Sequence, residues 1–535
     1  MCKFNWVRKA NSAFLLCAVA ALPAPAQTTA IATPAQITSA HIPAAAFTTL
    51  HSFCSLPNCT DGAVPTASLV QGADGNLYGT TPFGGASGPC DDNFGCGTMF
   101  RITPDGTLTT VYAFCSQGHC TDGAGANTLI QGTDGDLYGT SVGGGAYPNG
   151  KSLSPGTIFK ITLNGELTTL YSFCPDYPSC TDGADPAAGL VQGARGTLYG
   201  TTFNGGDFYG GTCIYGCGTV FSVTSRGALE SLDSFGVANG QWPQAGMIQG
   251  TDGKIYGTTP AGGSGICGIY CDGTFFSLGP DGTLTTLYNF CSVGGENCTD
   301  GALPYEGVVE GSDGNFYGAT YEGGSGASCT LVIGCGTIFK ITPKGQLTTI
   351  YSFCSQPNCA DGEFPYGGLT LGTNGKFYGT TTSGGADERG TIFSLSSTKG
   401  LATLHSFDGR DGELLVATMV QSTDGSFYGT TEDGGANFDV HCGGLCGTVF
   451  KLSVDLAPFV KTLPTAGKTR ATVHILGTNL TGATVVTFNG VAASFTVVSQ
   501  TEITTSVPAG ATTGTVQVVT SGGTLSGNVP FQVRP

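Results

Sequence analysis

This 535-residue chain predicts an all-β fold, one antiparallel unit copied seven times and followed by a small sandwich. Three observations carry that prediction. A phrase of the form LTTLYSF, Gly-rich link, LVQG, DG, LYGTT, second Gly-rich link, GTIFKIT returns along the chain. The Tyr of its YGT element falls at Tyr78, Tyr138, Tyr199, Tyr256, Tyr317, Tyr378 and Tyr428. That spacing of roughly 60 residues marks one supersecondary unit copied many times. Apolar residues within the phrase alternate with period two, and no stretch of the repeats has helical periodicity. Finally, 88 glycines and a charged fraction of only 11% describe folded, turn-dense material.

Each copy holds four short strand candidates. In the fifth they are Gly307-Val-Val-Glu, Asn315-Phe-Tyr-Gly-Ala-Thr, Gly336-Thr-Ile-Phe-Lys-Ile-Thr and Gln346-Leu-Thr-Thr-Ile-Tyr-Ser-Phe. Asp313-Gly314 joins the first two as a tight hairpin, and Pro343-Lys344-Gly345 joins the last two. Phe339 and Ile341 alternate on one strand. Leu347, Thr349, Tyr351 and Phe353 alternate on the next, so each set is expected on a single strand face.

Four-stranded units repeated around an axis make a β-propeller, which leaves only short, protected edges. YSF, YGT and GT-x-F each count to seven, so seven blades are expected over residues 47–453. The glycine after each Tyr, such as Gly79 and Gly318, suits a crowded place where neighbouring blades approach closely. The array opens at Phe47-Thr-Thr-Leu-His-Ser-Phe53, a fourth strand with no first three before it. It ends at Gly447-Thr-Val-Phe-Lys-Leu-Ser453, a third strand with no fourth after it. The two ends should pair and close the ring.

Topology then sorts the loops. The turns between strands 1 and 2, and between strands 3 and 4, are short DG, NG or KG types and lie on one side. The links between strands 2 and 3, and from blade to blade, lie on the other. Every cysteine pair falls in the second set.

Residues 1–26 read as a secretory signal. Lys3, Arg8 and Lys9 give the positive start, Ala13 to Leu22 the apolar core, and Ala24-Pro25-Ala26 the cleavage site. A linker, 27–46, follows. No apolar run reaches membrane-spanning length, so no membrane span is expected. The net charge of −17 is dispersed and disfavours nucleic acid or anionic lipid as partners, since both require a basic face.

Twenty cysteines follow the signal, in ten close pairs. Five pairs sit in the link after YSF: Cys54/Cys59, Cys115/Cys120, Cys174/Cys180, Cys291/Cys298 and Cys354/Cys359. Five sit before GT: Cys90/Cys96, Cys213/Cys217, Cys267/Cys271, Cys329/Cys335 and Cys442/Cys446. Where a copy lacks one cysteine of a pair it lacks both, as partners within one loop require. Zinc would ask for CxxC-type spacing with two pairs converging, or for nearby histidines, and the histidines are scattered. Each bridge would close a loop worth about 2 kcal/mol, stiffening loops rather than tying distant parts together.

On these residues the array resembles the GloVer tandem-repeat family (choice-of-anchor type) of exported bacterial proteins, whose units read GG-L-x-QG-x-DG-x-x-YGTT…GT-x-F-K. The resemblance covers roughly residues 47–453. It implies a secreted or surface-displayed propeller and carries no activity to transfer. From about Leu456 the cysteines and the period stop. Gly477-Thr-Asn-Leu480, Val485-Val-Thr-Phe-Asn-Gly-Val-Ala-Ala493, Thr501-Glu-Ile503 and Val507-Pro-Ala-Gly-Ala511 resemble an IPT/TIG domain, an immunoglobulin-like sandwich, over 456–535. Alternating β-branched stretches with Gly and Pro turns support the same class.

The blade-to-blade link ends in Asp-Gly at Asp61, Asp122, Asp182, Asp300, Asp361 and Asp411; only the fourth copy differs, at Asn239-Gly240-Gln241. Radial symmetry would set six carboxylates in a candidate binding ring on the stapled face, able to hold Ca²⁺ or meet sugar hydroxyls. The competing role is that each Asp organises its own turn. No other cofactor is called for. HExxH, GxSxG and P-loop motifs are missing, although paired carboxylates for glycoside chemistry need only two acids in a pocket. The expectation is therefore a monomeric, exported binding or scaffold protein for a glycan or protein. The alternative is a carbohydrate-active hydrolase or lyase using the same face.

Overall fold

The alternating phrase folds into strands. The computed structural model describes residues 45–534 apart from 86–89, 91–94, 148–154, 194–195, 209–212, 265–271, 326–332, 397–399, 440, 441 and 443. No α-helix occurs among the described residues. The proposed signal segment, and the linker up to residue 44, lie outside them.

In the fifth copy the strands are Val309–Glu310, Phe316–Thr320, Thr337–Ile341 and Leu347–Ser352, hydrogen-bonded in chain order. Seven sheets of this kind follow one another, the second gaining a short extra strand, Ala124–Ala126. The seventh joins Val420–Gln421, Phe427–Thr431 and Thr448–Ser453 to the N-terminal strand Ala46–Ser52. That strand pairs antiparallel from Ala46↔Ser453 to Ser52↔Thr448, the pairing expected from the order of pieces.

The recurring letters have physical reasons. The Phe of YSF meets the Phe of GT-x-F in the next sheet at every junction. Phe114–Phe159, Phe173–Phe221, Phe235–Phe276, Phe290–Phe339, Phe353–Phe393 and Phe407–Phe450 join sheets in chain order. Phe53–Phe100, with ring centroids 5.2 Å apart, joins the last sheet to the first. Such edge-on pairs each add about 1 kcal/mol beyond the area they bury.

The Gln of LVQG is a clasp between sheets. Gln192 Oε1 accepts from the Thr133 amide at 3.0 Å, Gln421 from Thr373 at 3.1 Å, and Gln71 from Thr423 at 3.0 Å. The last of these again runs from first sheet to last. The Tyr of YGT donates to the Asp of the preceding DG turn, as Tyr138 does to Asp134 at 2.7 Å. Lys160 closes the same cluster from the third strand.

Two sequence expectations are corrected. The glycine of YGT is not reserved for a neighbouring blade. A Cβ on Gly318 would meet the ring of Phe339, its own cross-strand partner, at 2.6 Å. The fourth strand also does not keep its alternation. In all seven sheets the register slips by one residue, between Thr349 and Tyr351 in the fifth. The bulge leaves Ile350 unpaired and turns Tyr351 to the face opposite Thr349. Thr349 then reaches the Thr299 carbonyl in the preceding link, while Tyr351 reaches Asp361.

The C-terminal residues form a sandwich. One sheet holds Lys461–Leu463, Thr472–Leu476, Glu502–Ser506 and Phe495–Val497. The other holds Val491–Ala493, Val485–Phe488, Val516–Thr520 and Gly523–Ser526. Val473, Ile475, Val486, Phe488, Val516 and Phe531 fill the space between them. This domain packs on the short-turn side of the sheets. Thr501 donates to the Ala73 carbonyl at 2.8 Å, the Phe459 amide to the Thr423 carbonyl at 3.0 Å, and Lys461 to the Gln421 carbonyl.

An axial cavity of about 470 Å³ runs between the innermost segments of the seven sheets, with Asn528 and Val529 of the sandwich against its lower end. Partway along it, the Gly368 amide donates to Thr418, the Thr418 amide to Ser68, and the Ser68 amide to Thr128. These bonds link four sheets around the axis.

Candidate functional site

The short-turn side is therefore partly covered by the chain's own last domain, and the opposite side is left to the long links. Eight cysteine pairs close there as disulfides, among them Cys54–Cys59, Cys90–Cys96, Cys115–Cys120 and Cys174–Cys180. Cys213–Cys217, Cys291–Cys298, Cys354–Cys359 and Cys442–Cys446 complete them. Cys267, Cys271 and Cys329 lie outside the described residues; Cys335 is disulfide-bonded.

The fold does bring pairs together. The sulfurs of Cys90, Cys96, Cys115 and Cys120 all lie within 4.8 Å of one another. Convergence was the condition set for zinc, but two pairs stand without a second pair. The fourth link has no cysteine, and Gln241 Nε2 lies 2.8 Å from Cys213 Sγ where that pair would be. A lone pair cannot complete a tetrahedral site, whereas it can close a disulfide.

The six Asp-Gly carboxylates are held by their own loops. Asp361 accepts from Tyr351 at 2.7 Å, from the amide and hydroxyl of Ser355 at 3.0 Å, and from the Gln356 amide at 3.2 Å. Asp122 and Asp300 repeat that set with Tyr112 and Tyr288; Asp182 takes Tyr171 and the Cys174 amide. His51 and His405 replace the Tyr for Asp61 and Asp411. Asp61, Asp122, Asp300 and Asp361 are buried. Burial would raise the Asp61 carboxyl, but hydrogen bonds from His51 and Ser55 outweigh it and hold the group below its ordinary value. At Asp182 burial outweighs the bonds from Tyr171 and the Cys174 amide, and the carboxyl is raised. The geometry gives each Asp the donors that a turn-organising role needs. The sequence signal for those donors was the Tyr or His two residues before the YSF Phe.

The stapled side also carries exposed apolar side chains. Leu56, Val142, Tyr147, Tyr177, Phe208, Ile214, Tyr215, Val237, Val293 and Phe438 are the exposed large hydrophobics among the described residues of the seven sheets. All ten fall on the links between strands 2 and 3 or between sheets, or on the strand end that enters such a link. No large side chain of the short turns is among them.

A second unforeseen feature is Glu306, which lines the axial cavity. The residues at the same repeat position in the other copies are Ala67, Asn127, Ala188, Ala245, Gly367 and Ala417. The carbonyls of Ala67, Asn127 and Ala188 each accept from the Thr of a YGT element, as that of Glu306 does from Thr258. Burial pushes the Glu306 carboxyl up to about 8. Beside it Tyr305 and Tyr366 stack with centroids 4.7 Å apart, and Tyr321 meets both edge-on.

The Gloeobacter/Verrucomicrobia repeat model matches residues 36–214, 155–355, 209–450 and 330–486, and the IPT/TIG domain model matches 459–533. No curated protein matches the sequence. Among solved structures, the chain is similar to the extracellular domains of two putative hybrid two-component systems from Bacteroides thetaiotaomicron. Both share 11% identity; they give TM-scores of 0.45 and 0.44, with 91% and 92% of this chain covered. The chain spans 57% and 58% of those two structures. A putative glucose dehydrogenase from Thermus thermophilus gives a TM-score of 0.35 at 14% identity, covering 76% of this chain and 100% of that one.

Proposed function

The chain belongs to the Gloeobacter/Verrucomicrobia repeat family, with an IPT/TIG domain at its C-terminus, and we propose that it is an exported binding protein. In this reading the seven sheets are the blades of one closed propeller, and the stapled face engages an extracellular glycan or protein. The observation that carries it is the one-sided distribution of exposed aromatic and aliphatic side chains. All ten sit on the side away from the sandwich. Soluble proteins keep such groups dispersed unless a partner covers them. Disulfides support export, since they persist in oxidising compartments, and they also preorganise the loops that present those side chains.

The sandwich fits the role of a spacer that closes the far end of the axial cavity. A binding role also explains why the Asp-Gly carboxylates are spent on loop structure. Functional residues concentrate on loops held by a rigid frame, and here the frame extends into the loops themselves.

A glycan array and a pull-down with the secreted protein, each with and without Ca²⁺, test the reading. The expected result is a ligand whose binding is lost when stapled-face aromatics are replaced and kept when short-turn residues are. Turnover of a polysaccharide, lost on replacing one Asp-Gly carboxylate with folding unchanged, would instead favour a carbohydrate-active enzyme and defeat the proposal.

A further inference from the structure

One junction departs from the repeat in several residues at once, and a cavity lies there. In six sheets the fourth strand carries an aromatic residue that donates to an Asp-Gly carboxylate: His51, Tyr112, Tyr171, Tyr288, Tyr351 or His405. In the third sheet that position is Asp233. Two residues earlier Ser231 replaces the Thr found in all six others, and the following link, 235–240, is shortened and has no cysteine. Removing a ring, a methyl group and several loop residues at one place leaves space. A cavity of about 390 Å³ is lined there by Thr181, Asp182, Asp207, Ser231, Asp233 and Ser234.

One aromatic side chain adjoins a lining residue. Phe208, next to Asp207, packs over Gly236 of the shortened link and is 54% exposed. Tyr177 and Tyr215, on the neighbouring links, are also exposed. The lining brings three carboxylates and three hydroxyls. Among the described residues no ion pair reaches Asp182, Asp207 or Asp233, whereas Asp134, Asp313 and Asp424 each hold a lysine.

Resting on the binding role proposed above, we infer that this cavity is a subsite for a glycan whose units carry free amines. An ammonium answers Asp207 and Asp233 with charge-assisted hydrogen bonds, while Asp182, held by Tyr171 and the Cys174 amide, adds negative charge beside them. Sugar hydroxyls answer Thr181, Ser231 and Ser234, and the C–H face of a pyranose lies on an exposed ring such as Phe208. An ammonium over an aromatic face adds cation–π attraction. The volume suits one or two sugar units, at the small end of the roughly 300–1,000 Å³ found for ligand pockets. A basic protein segment would satisfy the charge, but it needs an interface of about 1,000 Å² or more rather than a small, open, hydroxyl-lined recess.

Titration calorimetry on the full secreted chain tests this with glucosamine tetramer, N-acetylglucosamine tetramer and tetralysine. The amine-bearing sugar should bind at least tenfold more tightly than either of the others, and lose affinity as salt rises. Asp233→Tyr, which restores the residue found in four other sheets, should fill the cavity and cut affinity tenfold or more. Phe208→Ala, an exposed change that leaves the core alone, should do the same. Asp281→Asn, on a short turn, should change nothing.

Equal binding of the acetylated sugar overturns the inference, as does tetralysine binding as well as the amine-bearing sugar. Undiminished affinity in both site variants overturns it too. A different array ligand unaffected by these variants removes this subsite but leaves the stapled-face role standing. Absence of any ligand removes both.

Discussion

Asp61 and Glu306 are both carboxylates taken partly out of water, and their surroundings send them in opposite directions. Asp61 receives His51 at 3.0 Å and the Ser55 amide at 2.9 Å, so its ionised form is stabilised despite burial. Its contribution to stability is present above the ordinary carboxylate value and fades as pH falls through the lowered one. Glu306 faces the axial cavity beside Tyr366 and is raised to about 8 by burial. Its contribution has the opposite sign. It is fullest below the unfolded value, near 4.5, and is lost as pH rises from there to about 8. Glu306→Ala, matching the residue in four other copies, should therefore leave stability nearly unchanged near pH 4. The variant should then gain on the parent steadily up to pH 8 in urea denaturation. A gain independent of pH would mean that packing and not ionisation is responsible. Asp361→Ala tests the other class. It strips the acceptor from the Ser355 and Gln356 amides and from Tyr351, part-buried bonds whose loss should cost about 2 kcal/mol in the same measurement.

Disulfides and bulges act on elements. Cys354–Cys359 closes a loop of sequence separation 5, so replacing both by Ser should cost about 2 kcal/mol. Strand content should survive, because the sheet joins its neighbours through Phe353–Phe393 and Phe290–Phe339 and not through the bridge. Far-ultraviolet dichroism before and after mild reduction checks this; wholesale loss of strand signal would show that the staples hold the sheets. The four strands per copy were legible because period-two alternation and DG or KG turns are local properties of the chain. The bulge was not, because Ile350 looks like any apolar strand residue and only the register against Thr337–Ile341 exposes the extra one. The site was legible in part. Cysteine pairing and sidedness follow from spacing and topology alone. The burial of the Asp-Gly carboxylates, the cavity at Asp233 and the isolation of Glu306 depend on side chains brought together from different copies.

At the scale of the whole molecule, each sheet leans on the next, and the seventh can lean on the first only if it is complete. The strand Ala46–Ser52 supplies its outer edge, and two aromatic contacts fix it there. Phe47 stacks on His405 of the sixth sheet at 3.8 Å, while Phe53, just past the strand, meets Phe100 of the first. A secreted chain beginning at residue 53 would keep almost every residue of the repeats, yet leave Thr448–Ser453 as an open edge and the Phe47 pocket empty. Unpaired edges recruit other strands, so this variant should associate, and its thermal unfolding should broaden as the sheets lose cooperativity. A synthetic peptide covering 46–52 should restore a single sharp transition and the monomer when added in excess, with a midpoint that rises with peptide concentration. Removing an equal length from the C-terminus, within the sandwich, should leave the repeat transition sharp. If the shortened chain instead melts like the parent, the array does not close through its first strand, and the stapled face is not one continuous surface.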